Sequence, residues 1–251
     1  MPISAEGSTR DSGRDSGSGH QARWEQHNSA RRTVILHAAV ELLEGSARGV
    51  DVSVQQIAKR AGLAKSVVYR QFSDREDLDR RIRSHLVDVF ANTLDAKLNI
   101  SDGSIEEILT RTIYTVAEWM SDHPRLHDFM RKGPTHYDDA STDAVSSLKT
   151  RMAAHAREII RSIAKSIDVD DSAFESLTLA VVTMVEGTLT QWVRDPHPDL
   201  TRSEISADLA TYTWYVLDGA LRSEGLVVDP KTEVVTVIQQ LAGAPRRDVT
   251  R

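Results

Sequence analysis

Apolar residues return every third or fourth position through almost the whole chain from Asn28 onward, and no stretch alternates apolar with polar over a strand's length. That period is the repeat of an α-helix, so the pattern commits the chain to helices packed through apolar stripes. The first stripe is Val34, Ile35, Ala38, Leu42 and Leu43, and it stops at Gly45. "SVQQ", Ser53 to Gln56, has the form of a capping box and starts a second helix with Ile57, Ala58 and Ala61 inward. Gly62 ends it, as a position needing positive φ does. A third, short helix is read over about Lys65 to Phe72. "SDRE", Ser73 to Glu76, reads as a second capping box opening a long helix, whose stripe is Leu78, Ile82, Leu86, Val89, Phe90, Leu94 and Leu98. Further helices are expected at about 104–121, 124–131, 139–167, 172–194, 202–224 and 231–242, with prolines at or between their ends. The fold class is therefore all-α: a small N-terminal trihelical unit followed by a larger helical body.

With 251 residues there is material for one large or two small domains. Residues 1–20 are Ser, Gly, Asp and Arg with almost no apolar content, and "RDSGRDSG" is low complexity; a disordered tail is expected over 1–27 and a flexible one over 245–251. Cysteine is absent, which excludes disulfides, thiolate zinc sites and a cysteine nucleophile. No apolar run approaches the roughly 18 residues that span a bilayer. The N-terminus lacks a segment of signal-peptide type. The expectation is a cytoplasmic protein that makes no membrane contact.

Net charge is −6, but it is unevenly spread. Residues 21–85 hold 12 Lys+Arg against 8 Asp+Glu, so the remainder of the chain is strongly acidic. A basic segment on an acidic body is the asymmetry expected when one part meets phosphate. Enzymatic signatures are missing: no GxSxG elbow, GxGxxG, Walker loop, HExxH or paired-carboxylate motif occurs, and "GSARG", Gly45 to Gly49, lacks the central serine. His123 and His127 lie four apart beside Asp122 and Asp128, but Pro124 puts His123 at a helix start. They read as solvated surface, and neither a metal nor a cofactor is expected. His37 reads as a neighbour of the core.

On a wheel of about 100° per residue, Val68 and Phe72 fall together on the buried side of the third helix. Ser66, Val67 and Arg70 point the other way, Tyr69 and Gln71 flank them, and Lys65 opens the first turn. An exposed valine gains little on so short a helix. A major groove gives it a use, packing its methyls on a thymine methyl while Lys65 and Arg70 donate to guanine or phosphate. Ser53 and Arg75 stand where the neighbouring helices start, placed for phosphate. Two helices joined at a glycine corner, the second decorated this way, read as a helix-turn-helix.

The segment "ILHAAVELLEGSARGVDVSVQQIAKRAGLAKSVVYRQFSDREDL" resembles the N-terminal domain of tetracycline-repressor-like (TetR family) transcriptional regulators. The matching positions are Leu42-Leu43, Gly49, Ser53-Val54, Ile57-Ala58, Ala61-Gly62-Leu63, Val68-Tyr69, Phe72 and Ser73 to Leu78. The resemblance implies base or sugar contacts from Lys65, Ser66, Val67 and Tyr69, to which the wheel adds Arg70. It implies phosphate contacts from Ser53, Tyr69, Gln71 and Arg75. Ala64 stands where many relatives carry a capping Ser or Thr, and Arg75 where lysine is usual. It places a DNA-binding domain at 28–75 and an effector-binding and dimerisation domain at 76–244. The implied partners are a double-stranded DNA operator, a second copy of the chain and an apolar small-molecule effector. A helical protein adaptor is the alternative.

For the body, wide apolar faces on the helices near 172–194 and 202–224 suggest pairing through Leu177, Val181, Val185, Leu189, Leu209, Tyr212, Val216, Leu217 and Ala220. Aromatic and methionine side chains suggest an adaptable pocket: Tyr114, Trp119, Met120, Phe129, Met130, Met152, Met184 and Trp192.

Overall fold

The computed structural model describes residues 16–47, 50–133, 143–167, 174 and 176–243, leaving out the side chains of 16–27, 166 and 167. Gly49, residues 1–15 and the C-terminal segment 245–251 lie outside the described residues. The chain divides into two compact units, Met1–Leu78 and Asp79–Arg251. Among the described residues there are helices and no strand, only an isolated bridge between Ser104 and Glu233.

In the first unit, α1 spans Ser16–Glu44, α2 Val54–Arg60 and α3 Lys65–Gln71. α1 thus starts well before Asn28, inside the stretch expected to be disordered. Extending a formed helix N-terminally needs no new nucleus, and Ala22, Arg23 and Gln26 are good helix formers. Ile35, Ala38, Ala39 and Leu43 are its buried residues, whereas Val34 and His37 face solvent, unlike the reading that set both against the core. The inward stripe is one position narrower than the hydrophobicity of Val34 suggests.

The start of α2 is the expected capping box: the Ser53 hydroxyl accepts from the Gln56 amide at 3.2 Å, and Gln56 Oε1 accepts from the Ser53 amide at 2.8 Å. Its end is a Schellman turn. The Gly62 amide donates to Lys59 and the Leu63 amide to Ala58, with Gly62 at φ +68°. Nothing lies within 4 Å of a Cβ placed on Gly62, so the backbone angle alone requires glycine here. α1 packs on α2 and α3, and α2 on α3. Val68 and Phe72 are buried, as the wheel predicts. Each such apolar side chain contributes roughly 1.5–3 kcal/mol on burial.

α4 spans Arg75–Lys97. Its start is capped one residue later than the "SDRE" reading: Asp74 Oδ1 accepts from the Asp77 amide at 2.7 Å, and Asp77 Oδ2 from the Ser73 amide at 3.0 Å. Aspartate is as good an N-cap as serine, and two in succession let either register compete. Leu78, Ile82, Leu86, Phe90 and Leu94 are buried along it, but Val89 is exposed.

The second unit holds the rest of α4 with α5 (Ile105–Asp122), α6 (Pro124–Met130), α7 (Ala144–Ile167), α8 (Leu177–Arg194), α9 (Arg202–Ser223) and α10 (Val234–Gly243). Capping boxes at Ser104–Glu107 and Thr201–Glu204 start α5 and α9. α5 lies along α9 and touches α8, α8 packs on α7 and α9, and α10 rests on α7. Ile113, Ala117, Met120, Val185, Leu189, Ile205, Leu209 and Ala210 form their shared core. Three residues assigned to a dimer face are therefore inside the protomer: Leu189 is 0% exposed, and Val185 and Leu209 are buried with it. Leu177, Val181 and Leu217 also look inward, onto a cavity. Helices α8 and α9 are apolar on more than one side, and hydrophobicity alone does not say which side meets the protomer's own core.

Candidate nucleic-acid interface and effector cavity

On α3 the side chains of Lys65, Ser66, Tyr69 and Arg70 are exposed, with Tyr69 at 45%, while Val67 is half-buried. Among the described residues neither Lys65 nor Arg70 is held in an ion pair; the Lys65 ammonium sits 5.7 Å from the centre of the Tyr69 ring. Two cations, a hydroxyl and a phenol thus stand on one face of a helix whose other face is anchored by Val68 and Phe72. The anchoring fixes rotation about the helix axis, which a base-reading surface needs.

The residues assigned to phosphate have partners within the first unit. The Ser53 hydroxyl donates its one proton to Gln56 Oε1 at 2.8 Å. Gln71 Nε2 donates to Asn28 Oδ1 at 3.2 Å, tying the end of α3 to α1. An Arg75 guanidinium N–H donates to the Val52 carbonyl, bracing the loop ahead of α2. These side chains first position the reading helix. Sequence reasoning missed the bracing because it links positions 23 to 43 residues apart.

Ala64 is the N-cap of α3, with extended φ −73° and ψ 147° and no side-chain cap. Ala64→Thr leaves that geometry intact and supplies an acceptor for the open amides. It should raise stability by about 0.5–1 kcal/mol, read as a shift in denaturant midpoint with unchanged slope.

In the second unit a cavity of about 340 Å³ is lined by residues of α4, α5, α7, α8, α9 and α10. Its wall is mainly leucine, isoleucine and valine, and of the eight residues expected to line a pocket only Met152 does so. Met120 and Met130 are packed solid in the core. Trp119 stacks on Phe90 at 4.4 Å between centroids, Phe129 lies 5.4 Å from the Arg83 guanidinium and Tyr114 6.0 Å from that of Arg202. Met184 and Trp192 pack against the core, and the Trp192 indole donates to the Leu200 carbonyl at 2.8 Å. The misreading has a physical reason: large, adaptable side chains fill the space around them, so a void opens where short branched ones meet.

One polar cluster adjoins that wall. Glu186 Oε2 lies 3.5 Å from Lys149 Nζ, and Oε1 lies 3.2 Å from Arg131 and 2.8 Å from the Thr190 hydroxyl. His127 Nε2 is 3.9 Å from the same Oε1 and makes no hydrogen bond. His127 is buried rather than solvated, contrary to the sequence reading, since α6 turns it inward after Pro124. Among the described residues no group of three His, Cys, Asp or Glu is placed to hold a metal. Burial pushes the His127 imidazole below its ordinary 6.5, and the Glu186 charge only partly offsets this. A depressed histidine protonates first in the unfolded chain, so stability is full above 6.5 and falls as pH drops below it. Denaturant titrations between about pH 7.5 and 5.5 should show this loss in the parent and a flatter profile in His127→Gln.

A glycine-cornered helix pair whose second helix exposes Lys65, Ser66, Tyr69 and Arg70, followed by a helical body, has the form of a helix-turn-helix regulator. Residues 35–82 match the family model described as bacterial regulatory proteins, tetR family. That segment is the DNA-binding domain of tetR-family regulators, a family of DNA-binding rather than catalytic proteins, and the helical fold of the whole chain agrees with it. It is similar to an uncharacterized HTH-type transcriptional regulator of Mycobacterium tuberculosis, 23% identical over 210 residues, covering 82% of this chain and 86% of the relative. The nucleoid occlusion factor SlmA of Vibrio atlanticus is 21% identical, over 66% of this chain and 85% of its own. Among solved structures, a tetR-family regulator from Streptomyces coelicolor aligns over 88% of this chain and 91% of its own, with TM-score 0.59 and 16% identity. A TetR-like regulator from Rhodococcus sp. RHA1 aligns over 75% and 96%, with TM-score 0.52 and 19% identity. Among the described residues no helix is long and apolar enough to cross a membrane. The adaptor alternative is not favoured.

Proposed function

We propose that the protein is a cytoplasmic, homodimeric repressor that binds a palindromic operator and is released by a small apolar effector. The observation that carries this is the outward face of α3, where Lys65, Ser66, Tyr69 and Arg70 are exposed and, among the described residues, neither cation is in an ion pair. Lys65, Ser66, Val67, Tyr69 and Arg70 read bases; Ser53, Tyr69, Gln71 and Arg75 hold phosphates. Residues 28–75 act as the reading domain and 76–244 as the effector and pairing domain.

Pairing uses the outer sides of α8 and α9. Leu179, Ala180, Thr183, Gly187 and Thr188 are exposed on one, and Thr211, Tyr212, Tyr215, Val216 and Gly219 on the other. Those ten positions carry no charge in a chain that is 27% charged, and Tyr215 is 66% exposed. Such a surface supports burial against a second copy. Tyr212 and Val216 are the members of the original pairing set that stand on it, with half-buried Ala220 beside them. The effector occupies the cavity. Phe90 and Leu94 of α4 stand on its wall, and α4 begins at Arg75, so an occupant that shifts this helix changes the stance of the reading domains. A coupling of about 1–3 kcal/mol is enough for a useful switch.

Selection of bound sequences from a random duplex pool tests the reading. An inverted repeat with half-site centres about 10–10.5 base pairs apart, or a multiple of this, is the expected result. Enrichment of sequences without two-fold symmetry would refute the paired operator.

A further inference from the structure

The cavity has a neighbour in the same unit. A second hollow is lined by Asp95, Asn99 and His155 together with Leu98, Ile100 and Ile159. Leu98, Ile100 and Ile159 also line the apolar cavity, so the two spaces share a wall. All three are half-buried, whereas Leu94 and Met152, earlier on the same helices as Leu98 and Ile159, are buried. That gradient marks where the cavity approaches the surface.

The two spaces differ in character. On the apolar wall hardly any polar atom is exposed. Its charged residues, Lys149 and Glu186, lie 3.5 Å apart, and Glu186 is also held by Arg131 at 3.2 Å and the Thr190 hydroxyl at 2.8 Å. A polar head finds no partner there. In the second hollow the Asp95 side chain is 32% exposed, and among the described residues neither oxygen has a hydrogen-bond partner. Oδ2 is 3.9 Å from Arg151 and Oδ1 is 4.0 Å from His155 Nδ1. Oδ1 is sealed from solvent, which leaves Oδ2 as the accessible oxygen. The nearby cations are engaged elsewhere. Arg151 donates to Asp88 at 2.9 Å and to Asn92 at 3.1 Å. Arg111 donates to the carbonyls of Lys97, Asn99 and Asp102, which fixes the rim. Arg161 pairs with Glu158 at 3.0 Å. Lys97 is exposed two positions beyond Asp95, a spacing that puts it on another side of α4.

We propose that the effector is a single-chain amphiphile whose apolar chain fills the cavity, passes Leu98, Ile100 and Ile159, and leaves a protonated amine at Asp95. The inference rests on the effector reading of the cavity and adds the head group and the place where it sits. A cation that donates hydrogen bonds is the head an open carboxylate favours, and a carboxylate head meets repulsion there. The volume of about 340 Å³ sets the chain length. At roughly 30 Å³ per water-sized group it takes a chain of about ten carbons.

The test uses the full-length protein with a bound neutral dye, 1-aminoanthracene, displaced by decylamine, 1-decanol or decanoate. These share a tail and differ in the head, and at about pH 8 the amine is protonated and the acid ionised. In the parent, decylamine displaces the dye at a concentration at least about tenfold below that needed for decanoate. In Asp95→Asn the ratio of amine to decanoate affinity falls by about fivefold, the upper end for a partly exposed charge pair, while decanol affinity changes by less than about twofold. If decanoate matches decylamine in the parent, or if the ratio survives Asp95→Asn, the head assignment is overturned and the cavity remains an apolar ligand site. If no probe displaces the dye from the parent, the effector reading of the cavity fails as well. Should Asp95→Asn not bind the dye, the ratio is followed in the parent as salt is raised. It shrinks toward one if a charge pair sets it, and a salt-independent ratio overturns the assignment.

Discussion

Gly187→Arg holds the chain as a monomer and lowers operator affinity by more than a hundredfold. Gly187 lies in the uncharged outer face of α8, and a Cβ added there meets nothing within 4 Å. The protomer therefore accommodates the new side chain. Exchanging glycine for arginine inside a helix is itself favourable by up to about 1 kcal/mol. Across a two-fold interface the same change plants two like charges in a dry surface, a penalty of several kcal/mol without partners. Sedimentation and thermal melting separate the two effects: half the parent mass with an unchanged or higher melting temperature. A variant that sediments with the parent and binds operator normally would mean that α8 and α9 do not form the pairing surface.

Loss of the reading cations has the second largest effect. Lys65→Ala and Arg70→Ala each cost about 1–3 kcal/mol in operator binding, about fivefold to 150-fold per site, and the double variant compounds them because a dimer carries two copies. Stability should barely move, since both side chains are exposed and make no ion pair among the described residues. Binding to random duplex falls less, so the specificity ratio shrinks. If specific and random binding fall together, these residues touch only phosphate. Arg75→Ala is a less clean probe than its charge suggests, since it also removes the brace on the Val52 carbonyl.

Local rules carried the reading domain. The Ser53 box, the Gly62 corner and the inward pair Val68 and Phe72 each depend on residues within a turn or two, so spacing and residue type suffice. A capping register slipped where two capping residues stand side by side, at Ser73 and Asp74, and the start of α1 and the facing of Val34, His37 and Val67 also differed from the pattern. The helical body was legible as helices but not as a site. Which flank of α8 meets the core, and where a void opens, depend on how distant helices cross. Leu189 and Tyr215 are both large apolar residues on neighbouring helices, yet one is sealed and the other open.

Trp214 lines the cavity, whereas Trp119 is stacked on Phe90 and Trp192 is bonded to a carbonyl of its own unit. An indole on an apolar wall changes its emission when an occupant settles against it. Trp214 is therefore an optical gauge of that chamber, and Trp119 reports on it at one remove through Phe90, so a Trp214→Phe exchange leaves the second signal alone.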